Sequence, residues 1–225
     1  MPKFKVEAEK IVEVLGMKWA PIAGRFSDKA EEDGSSKRKL SVCKALSLAR
    51  RENLMILLSK ENCTCAGGRH FTGLEIAPME SFASALTTKR HKVYDSEESA
   101  LNSFRKQPKP VNRGSFLTLG PLEKFKANPD LVFLFVNPAQ ADRMLGLVSF
   151  KGAEPFMYYP ASSICSTITN VLAKNRPEIN LVAMFERKAG KWSPNELILA
   201  MPFKDFETAV ENIPNSGYGT FGNAP

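Results

Sequence analysis

The residues best suited to chemistry are four cysteines, two of which lie in the segment E-N-C-T-C-A-G-G-R-H-F-T-G. Cys63 and Cys65 are one residue apart, whereas Cys43 and Cys165 are remote from them in sequence. Thiolates bind zinc and iron–sulfur clusters, and they also act as nucleophiles or redox groups. A Cys-x-Cys pair is difficult to use as two ligands of one ion. Three interpretations therefore stay open: a metal or cluster site, a thiol redox or nucleophilic site, and purely structural cysteines.

The residues that follow Cys65 could complete such a site. Gly67 and Gly68 allow the backbone to approach a ligand closely. A helix that begins near Gly67 would point its first N–H groups at the cysteines, which favours a thiolate or a bound anion. Arg69 could hold a carboxylate or phosphate with two hydrogen bonds. His70 could serve as a ligand or as a base.

A second polar turn follows the apolar run D-L-V-F-L-F-V. Asn137 and Gln140 lie in this turn, where the N–H groups of a beginning helix bind anions well. A helix cap is the simpler interpretation, with Pro138 in the first helical position. Arg113 and Arg187 could also bind an anion, although isolated arginines are more often structural.

Composition and charge restrict the class of protein. The chain has 225 residues, is 43% hydrophobic and carries a net charge of +7. Its basic residues are dispersed and mixed with acids, so we expect no nucleic-acid partner, while an anionic small molecule fits the charge. No apolar run approaches the ~18 residues that a membrane helix needs, and the first residues lack the features of a secretory signal. We expect a cytoplasmic protein without membrane segments.

Hydrophobic patterning predicts interleaved helices and strands, and hence an α+β fold. We expect a mixed sheet of about six or seven short strands with helices packed on it. The predicted helices are 4–15, 42–51, 79–90, 96–106, 138–148, 162–173 and 203–213. The predicted strands are 21–27, 54–59, 115–119, 130–136, 181–185 and 196–202.

The patterning also bears on domain organisation. We expect one domain over 1–225, with a subdomain break at 107–114 as the alternative and a loose tail at 214–225. Twice a buried strand leads through a polar turn into a helix, in 54–74 and in 131–148. This recurrence raises the hypothesis of two related αβ halves.

The order of several motifs resembles that of a known family. The motifs are P-I-A-G-R-F, C-K-A-L-S-L-A-R, C-T-C-A-G-G-R-H-F, P-D-L-V-F-L-F-V-N-P-A-Q, S-S-I-C-S and F-E-R-K-A-G. Over about 11–213 the chain resembles the uncharacterised bacterial and archaeal proteins named domain of unknown function 169. The resemblance implies that Cys43, Cys65 and Cys165 occupy shared cysteine positions and lie at a common site, whereas Cys63 is an extra cysteine.

Two functional hypotheses follow. In the first, Cys43, Cys65 and Cys165 hold zinc or an iron–sulfur cluster for redox or cofactor chemistry, with Cys63 or His70 as an optional ligand. In the second, the chain is a non-enzymatic module that binds an anionic small molecule through the residues Gly67, Gly68, Arg69 and Asn137. The sequence indicates no particular reaction and no catalytic residue.

Overall fold

The computed structural model describes residues 3–30, 38–78, 80, 83–84, 94–152 and 163–220. Most of the helix predicted at 79–90 lies outside these residues. The described residues form nine α-helices and six β-strands. The segment 107–114 connects a helix to a strand of the sheet, and the described part of the tail ends in a short helix.

The elements follow the order expected for an α+β protein. They are α1 (Lys3–Leu15), β1 (Ile22–Ser27), α2 (Val42–Glu52), β2 (Ile56–Ser59), α3 (Ala66–Thr72), α4 (Glu97–Arg105), β3 (Phe116–Pro121), β4 (Leu131–Val136), α5 (Pro138–Val148), α6 (Ile164–Lys174), β5 (Glu178–Asn180), α7 (Met184–Gly190), β6 (Leu197–Pro202), α8 (Phe203–Asn212) and α9 (Gly217–Thr220). A 3₁₀ turn at Leu122–Lys124 follows β3.

The six strands form one sheet in the order β2-β3-β1-β4-β6-β5. The α+β class and the number of strands are therefore confirmed. Every pairing between these strands is antiparallel, so the sheet is not mixed in strand direction. Hydrophobic patterning cannot reveal direction, because a buried strand has the same apolar pattern in a parallel and in an antiparallel sheet.

Helices cover both faces of the sheet. Successive side chains of a strand point to opposite faces, and β4 is buried throughout. On one face, Phe133 and Phe135 join a core that includes α2, α3 and α6. On the other face, Val132 and Leu134 join a core with α1, α5 and α8. The buried cysteines belong to the first core.

The strand predicted at 181–185 is wrong. The strand β5 ends at Asn180, and α7 begins at Met184. Between them Val182 takes a positive φ of 60°, which an extended strand does not allow. Its N–H donates to the Asn180 side chain at 2.6 Å, which stabilises the turn. Because this turn contains no glycine or proline, the sequence carries no obvious signal for it.

The topology repeats within the chain. The strand order reads the same from both edges: an edge strand (β2 or β5), a middle strand (β3 or β6) and an inner strand (β1 or β4). The register repeats as well, because Ile22 at the start of β1 pairs with Pro121 at the end of β3, and Leu131 at the start of β4 pairs with Pro202 at the end of β6. The expectation of two related αβ halves agrees with this arrangement.

The matching segments differ from those inferred from the sequence. The edge strand β2 corresponds to the edge strand β5, so 54–74 matches the segment that contains β5 and α7. It does not match 131–148, because β4 is an inner strand. The helices α2 and α6 correspond closely: each has 11 residues, a serine N-cap and an asparagine C-cap in the left-handed conformation.

These C-caps provide a test of local stability. Asn53 and Asn175 have φ values of 54° and 51°. Asparagine tolerates this conformation better than other residues with a side chain. We expect Asn53→Ala and Asn175→Ala each to lower the free energy of unfolding by about 1 kcal/mol, measured by urea denaturation. The matched glycine variants should be neutral or slightly stabilising. Equal stability of the alanine and glycine variants would contradict this account.

Candidate functional site

Two cysteines occupy matching positions in the two halves. Cys43 is the second residue of α2, and Cys165 is the second residue of α6. The two helices pack against each other. Interaction with the Cys43 side chain, together with burial, raises the pKa of Cys165 well above that of an ordinary thiol. The structure therefore brings together two sulfurs that are far apart in sequence.

The Cys-x-Cys segment lies beside this pair. Backbone pairing between Leu40 and the Cys63 segment holds it next to the start of α2. Cys65 is the N-cap of α3, and its Sγ accepts a hydrogen bond from the Gly68 N–H at 3.4 Å. The Cys63 side chain is buried and points its Sγ towards the Cys65 carbonyl at 3.8 Å. The expected helix start near Gly67 is thus present.

Electrostatic coupling shows that the four thiols share one environment. Burial raises the pKa of Cys65, and repulsion from Cys43 raises it further. Burial also raises the pKa of Cys63, with smaller contributions from Cys65 and Cys43. Burial and repulsion from neighbouring thiolates therefore favour the protonated form of Cys63, Cys65 and Cys165.

The structure adds Glu186, which the sequence analysis missed as a functional residue. Its Oε1 accepts a hydrogen bond from the Ile164 N–H at 2.8 Å, and the Cys43 Sγ lies 3.9 Å from the same oxygen. Burial raises the pKa of Glu186 to about 7. The residue lies in the motif F-E-R-K-A-G, but a glutamate in a polar run is typical of a solvated surface. We call Cys43, Cys63, Cys65, Cys165 and Glu186 the cysteine site.

The repeat explains the roles of two arginines near this site. Arg69 donates to the Cys63 carbonyl at 2.8 Å, and Arg187 donates to the Leu181 carbonyl at 2.5 Å. Each arginine lies in the short helix after the edge strand and braces the chain that leads into that helix. Arg69 also pairs with Glu75 at 2.5 Å. Both guanidinium groups are therefore engaged by the protein itself.

Gly68 lies at a position where the two halves differ in a way that matters for the cysteine site. It occupies the position in α3 that Glu186 occupies in α7, one residue before the bracing arginine. A Cβ atom at Gly68 would lie 3.0 Å from both the Cys63 Sγ and the Val42 Cγ2. This close packing leaves little room for a side chain, so the first half lacks the carboxylate that the second half provides.

The remaining predicted residues lie elsewhere or have structural partners. His70 is buried and packs edge-on against Phe71, and burial lowers its pKa. Arg113 donates to the Leu172 carbonyl at 3.1 Å. Asn137 and Gln140 form a capping box on α5, which belongs to the core on the other face of the sheet. The structure therefore does not bring Asn137 to the cysteines, and Gly67 and Gly68 are buried in the first turn of α3.

Metal binding requires several donors around one point. Within the described ranges, no group of three or more histidine, cysteine, aspartate or glutamate side chains is arranged to hold a metal ion. A tetrahedral set of thiolates is therefore not preformed in this part of the chain. The zinc or iron–sulfur site remains a prediction of the sequence.

Family comparison agrees with the motif order. The model of a family described as Uncharacterised ArCR, or domain of unknown function 169, matches residues 10–212. The chain belongs to this family. The match covers nearly the whole chain, and the matched residues include all four cysteines and Glu186. No curated protein and no solved structure matches the chain.

The described helices of this family member can be compared with what a membrane-spanning helix requires. None of them combines the length and the apolar character that a helix needs to cross a bilayer.

Proposed function

We propose that the cysteine site is a redox site in which Cys43 and Cys165 interconvert between a dithiol and a disulfide. The position of Cys43 and Cys165 in the first turns of two helices that pack together carries the proposal, and the interaction of their side chains supports it. A disulfide requires two sulfurs that can approach to about 2 Å without rearrangement of the backbone. Here each cysteine lies in the first turn of an 11-residue helix, and the two helices pack together.

The burial of Cys43 and Cys165 and the position of Cys65 support a redox pair to which access is restricted. Both side chains are buried, with 7% exposure for Cys43 and 4% for Cys165. Cys65 is partly exposed and lies within electrostatic reach of Cys43, so it provides the more open side of the site. We place the protein in the cytoplasm as part of the proposal, where a reducing environment keeps such a pair as a dithiol until an oxidant arrives.

The oxidant belongs to the class of small disulfides, written RSSR. One thiolate of the pair attacks a sulfur of RSSR, which forms a mixed disulfide and releases RS⁻. The second thiolate attacks the protein sulfur of that mixed disulfide, forms the internal disulfide and releases a second RS⁻. Two electrons pass from the protein to RSSR, and the two thiol protons end on two molecules of RSH.

The metal-site and anion-binding hypotheses from the sequence fit the structure less directly than the redox pair does. A zinc ion or iron–sulfur cluster would use the same cysteines, and it would require the thiols to lose protons and to rearrange around the metal. The anion-binding module would need Arg69 and Asn137 near one another, but Arg69 is engaged by Glu75 and Asn137 caps a helix over the other face. No specific observation favours that second function.

The test is a redox titration of the purified protein. Metal-free, reduced protein is equilibrated with defined ratios of 2-hydroxyethyl disulfide and mercaptoethanol, and disulfides are mapped by mass spectrometry. We expect one internal disulfide, Cys43–Cys165, that Cys43→Ser and Cys165→Ser abolish and the control Cys63→Ser leaves intact. No internal disulfide at any ratio, or pairing of Cys63 with Cys65 instead, would refute the proposal.

A metal assay runs beside this titration. Protein purified without oxygen is analysed for zinc, iron and acid-labile sulfide. We expect less than stoichiometric metal in the redox model. Stoichiometric metal that is lost in Cys43→Ser and in Cys165→Ser would favour the zinc or cluster hypothesis over the redox pair.

A further inference from the structure

We propose that Glu186 accepts the proton of the Cys43 thiol, so that Cys43 is the attacking cysteine and Cys165 the second, resolving cysteine. This assignment rests on the redox function proposed above. It adds to that function a base and a fixed order of reaction.

The contact geometry supports the role of Glu186. Its Oε1 is held by the Ile164 N–H at 2.8 Å, which orients the carboxylate towards α2. The Cys43 Sγ lies 3.9 Å from this oxygen, within the range of a hydrogen bond from a thiol. The second oxygen, Oε2, is buried and accepts no close hydrogen bond within the described ranges, although the Ala183 backbone also acts on the carboxyl and lowers its pKa. A buried carboxylate oxygen without a partner is costly, and a proton on it would relieve that cost.

The two halves of the fold place different groups beside Cys43 and Cys165. The helix α2 packs against α7, and α6 packs against α3. Cys43 on α2 therefore faces Glu186 of α7, whereas Cys165 on α6 faces the helix in which Gly68 takes the matching position. Since glycine has no side chain, α3 offers Cys165 no carboxylate at the position that matches Glu186. One symmetric scaffold thus holds two chemically different thiols.

The charges around Glu186 are consistent with proton transfer. Among the described residues, the thiols of Cys43, Cys65 and Cys165 act on one another, and Glu186 acts on Cys65 and Cys165. The one cation that acts on a thiol of the described site is Arg69, which lowers the pKa of Cys63 against the effect of burial. Burial raises the pKa of Glu186 to about 7, so both its forms are populated near neutral pH. The Cys43 S–H proton moves to the carboxylate, the resulting thiolate attacks RSSR, and the proton then passes to the departing RS⁻. Atoms and charges balance at each step.

The experiment measures only the first step, in which Cys43 forms a mixed disulfide. In a variant in which Cys63, Cys65 and Cys165 are all replaced by serine, no neighbouring thiol can resolve the mixed disulfide on Cys43. Its formation with 2-hydroxyethyl disulfide is followed by peptide mass spectrometry in metal-free protein. When E186Q is combined with the serine substitutions, the rate of this step should fall by about tenfold or more at pH 7. Near pH 9.5 the rates should converge, because hydroxide then removes the proton. Glutamine still accepts the hydrogen bond from Ile164. The matched control is E61Q, which changes an exposed carboxylate two residues before Cys63.

The outcomes separate this inference from the redox function. Equal rates at pH 7, an equal slowing at every pH, or faster modification of Cys165 in Cys43→Ser would each overturn the role of Glu186. If E186Q does not fold, Glu186→Asp keeps the carboxylate and moves it away by one methylene, and an intermediate rate is then expected. A base effect of Glu186 without any internal disulfide in the wild type would support the role of Glu186 as the base for Cys43, and it would refute both the redox cycle and the resolving role of Cys165.

Discussion

Replacing Arg50 with alanine will lower the free energy of unfolding by about 3 kcal/mol, because it removes a buried guanidinium from its ring contacts and leaves the partly buried Glu196 without its cationic partner. Arg50 lies in α2, the helix that carries Cys43. Its side chain is 2% exposed and donates to Glu196 at 2.8 Å. The guanidinium also lies 4.5 Å from the centre of the Phe135 ring and 5.1 Å from that of Trp19.

The matched control is an exposed ion pair of similar length. Arg105 lies 2.9 Å from Glu98, and both side chains are more than half exposed. Arg105→Ala should cost no more than about 0.5 kcal/mol. Both variants are compared with the wild type by urea denaturation at constant pH. Similar losses for Arg50→Ala and Arg105→Ala would contradict the role given to burial.

The second large effect concerns the pH dependence of stability. Glu186 has its pKa raised by burial from 4.5 to about 7. Between these values the unfolded chain releases a proton that the folded chain keeps, so stability falls as the pH rises. The contribution is complete below about pH 4.5 and is lost as the pH passes through about 7. The shift corresponds to at most about 3 kcal/mol.

Replacing Glu186 with glutamine should remove the part of the pH dependence of stability that Glu186 causes. We expect the difference in unfolding free energy between E186Q and the wild type to change by up to about 3 kcal/mol from pH 4.5 to pH 7.5. The measurement is a series of urea denaturation curves in reduced, metal-free protein. The variant E61Q should keep the wild-type slope. Parallel stability profiles for E186Q and the wild type would show that the carboxyl of Glu186 keeps its ordinary pKa.

Local signals in the sequence predicted several elements well. Asn137 was expected as a helix cap, and it caps α5 in the structure. The buried strand β4 and the α+β class were also expected, because capping residues and hydrophobic runs act over a few neighbouring positions. The turn at Val182 was missed, since its positive φ is stabilised by the side chain of Asn180 and by the surrounding fold.

The candidate site was predictable only in part. The cysteines could be proposed from their chemistry, and the family resemblance connected Cys43, Cys65 and Cys165. Glu186 could not be found in this way, because a glutamate in a polar segment becomes a buried carboxylate only when α7 packs against α2. Asn137 was included for its place in a strand-to-helix turn, although that turn lies over the opposite face of the sheet.

The sequence by itself determined the elements, their caps and the thiols available for chemistry, because these depend on residue type and on spacing within a few turns. Only the tertiary structure decided the order of the strands, the match between the two halves and the contact between Cys43 and Cys165. The physical reason is that contacts between remote segments depend on how the helices pack over one face of a shared sheet. Burial in that packing also sets the protonation of Glu186, which no local pattern encodes.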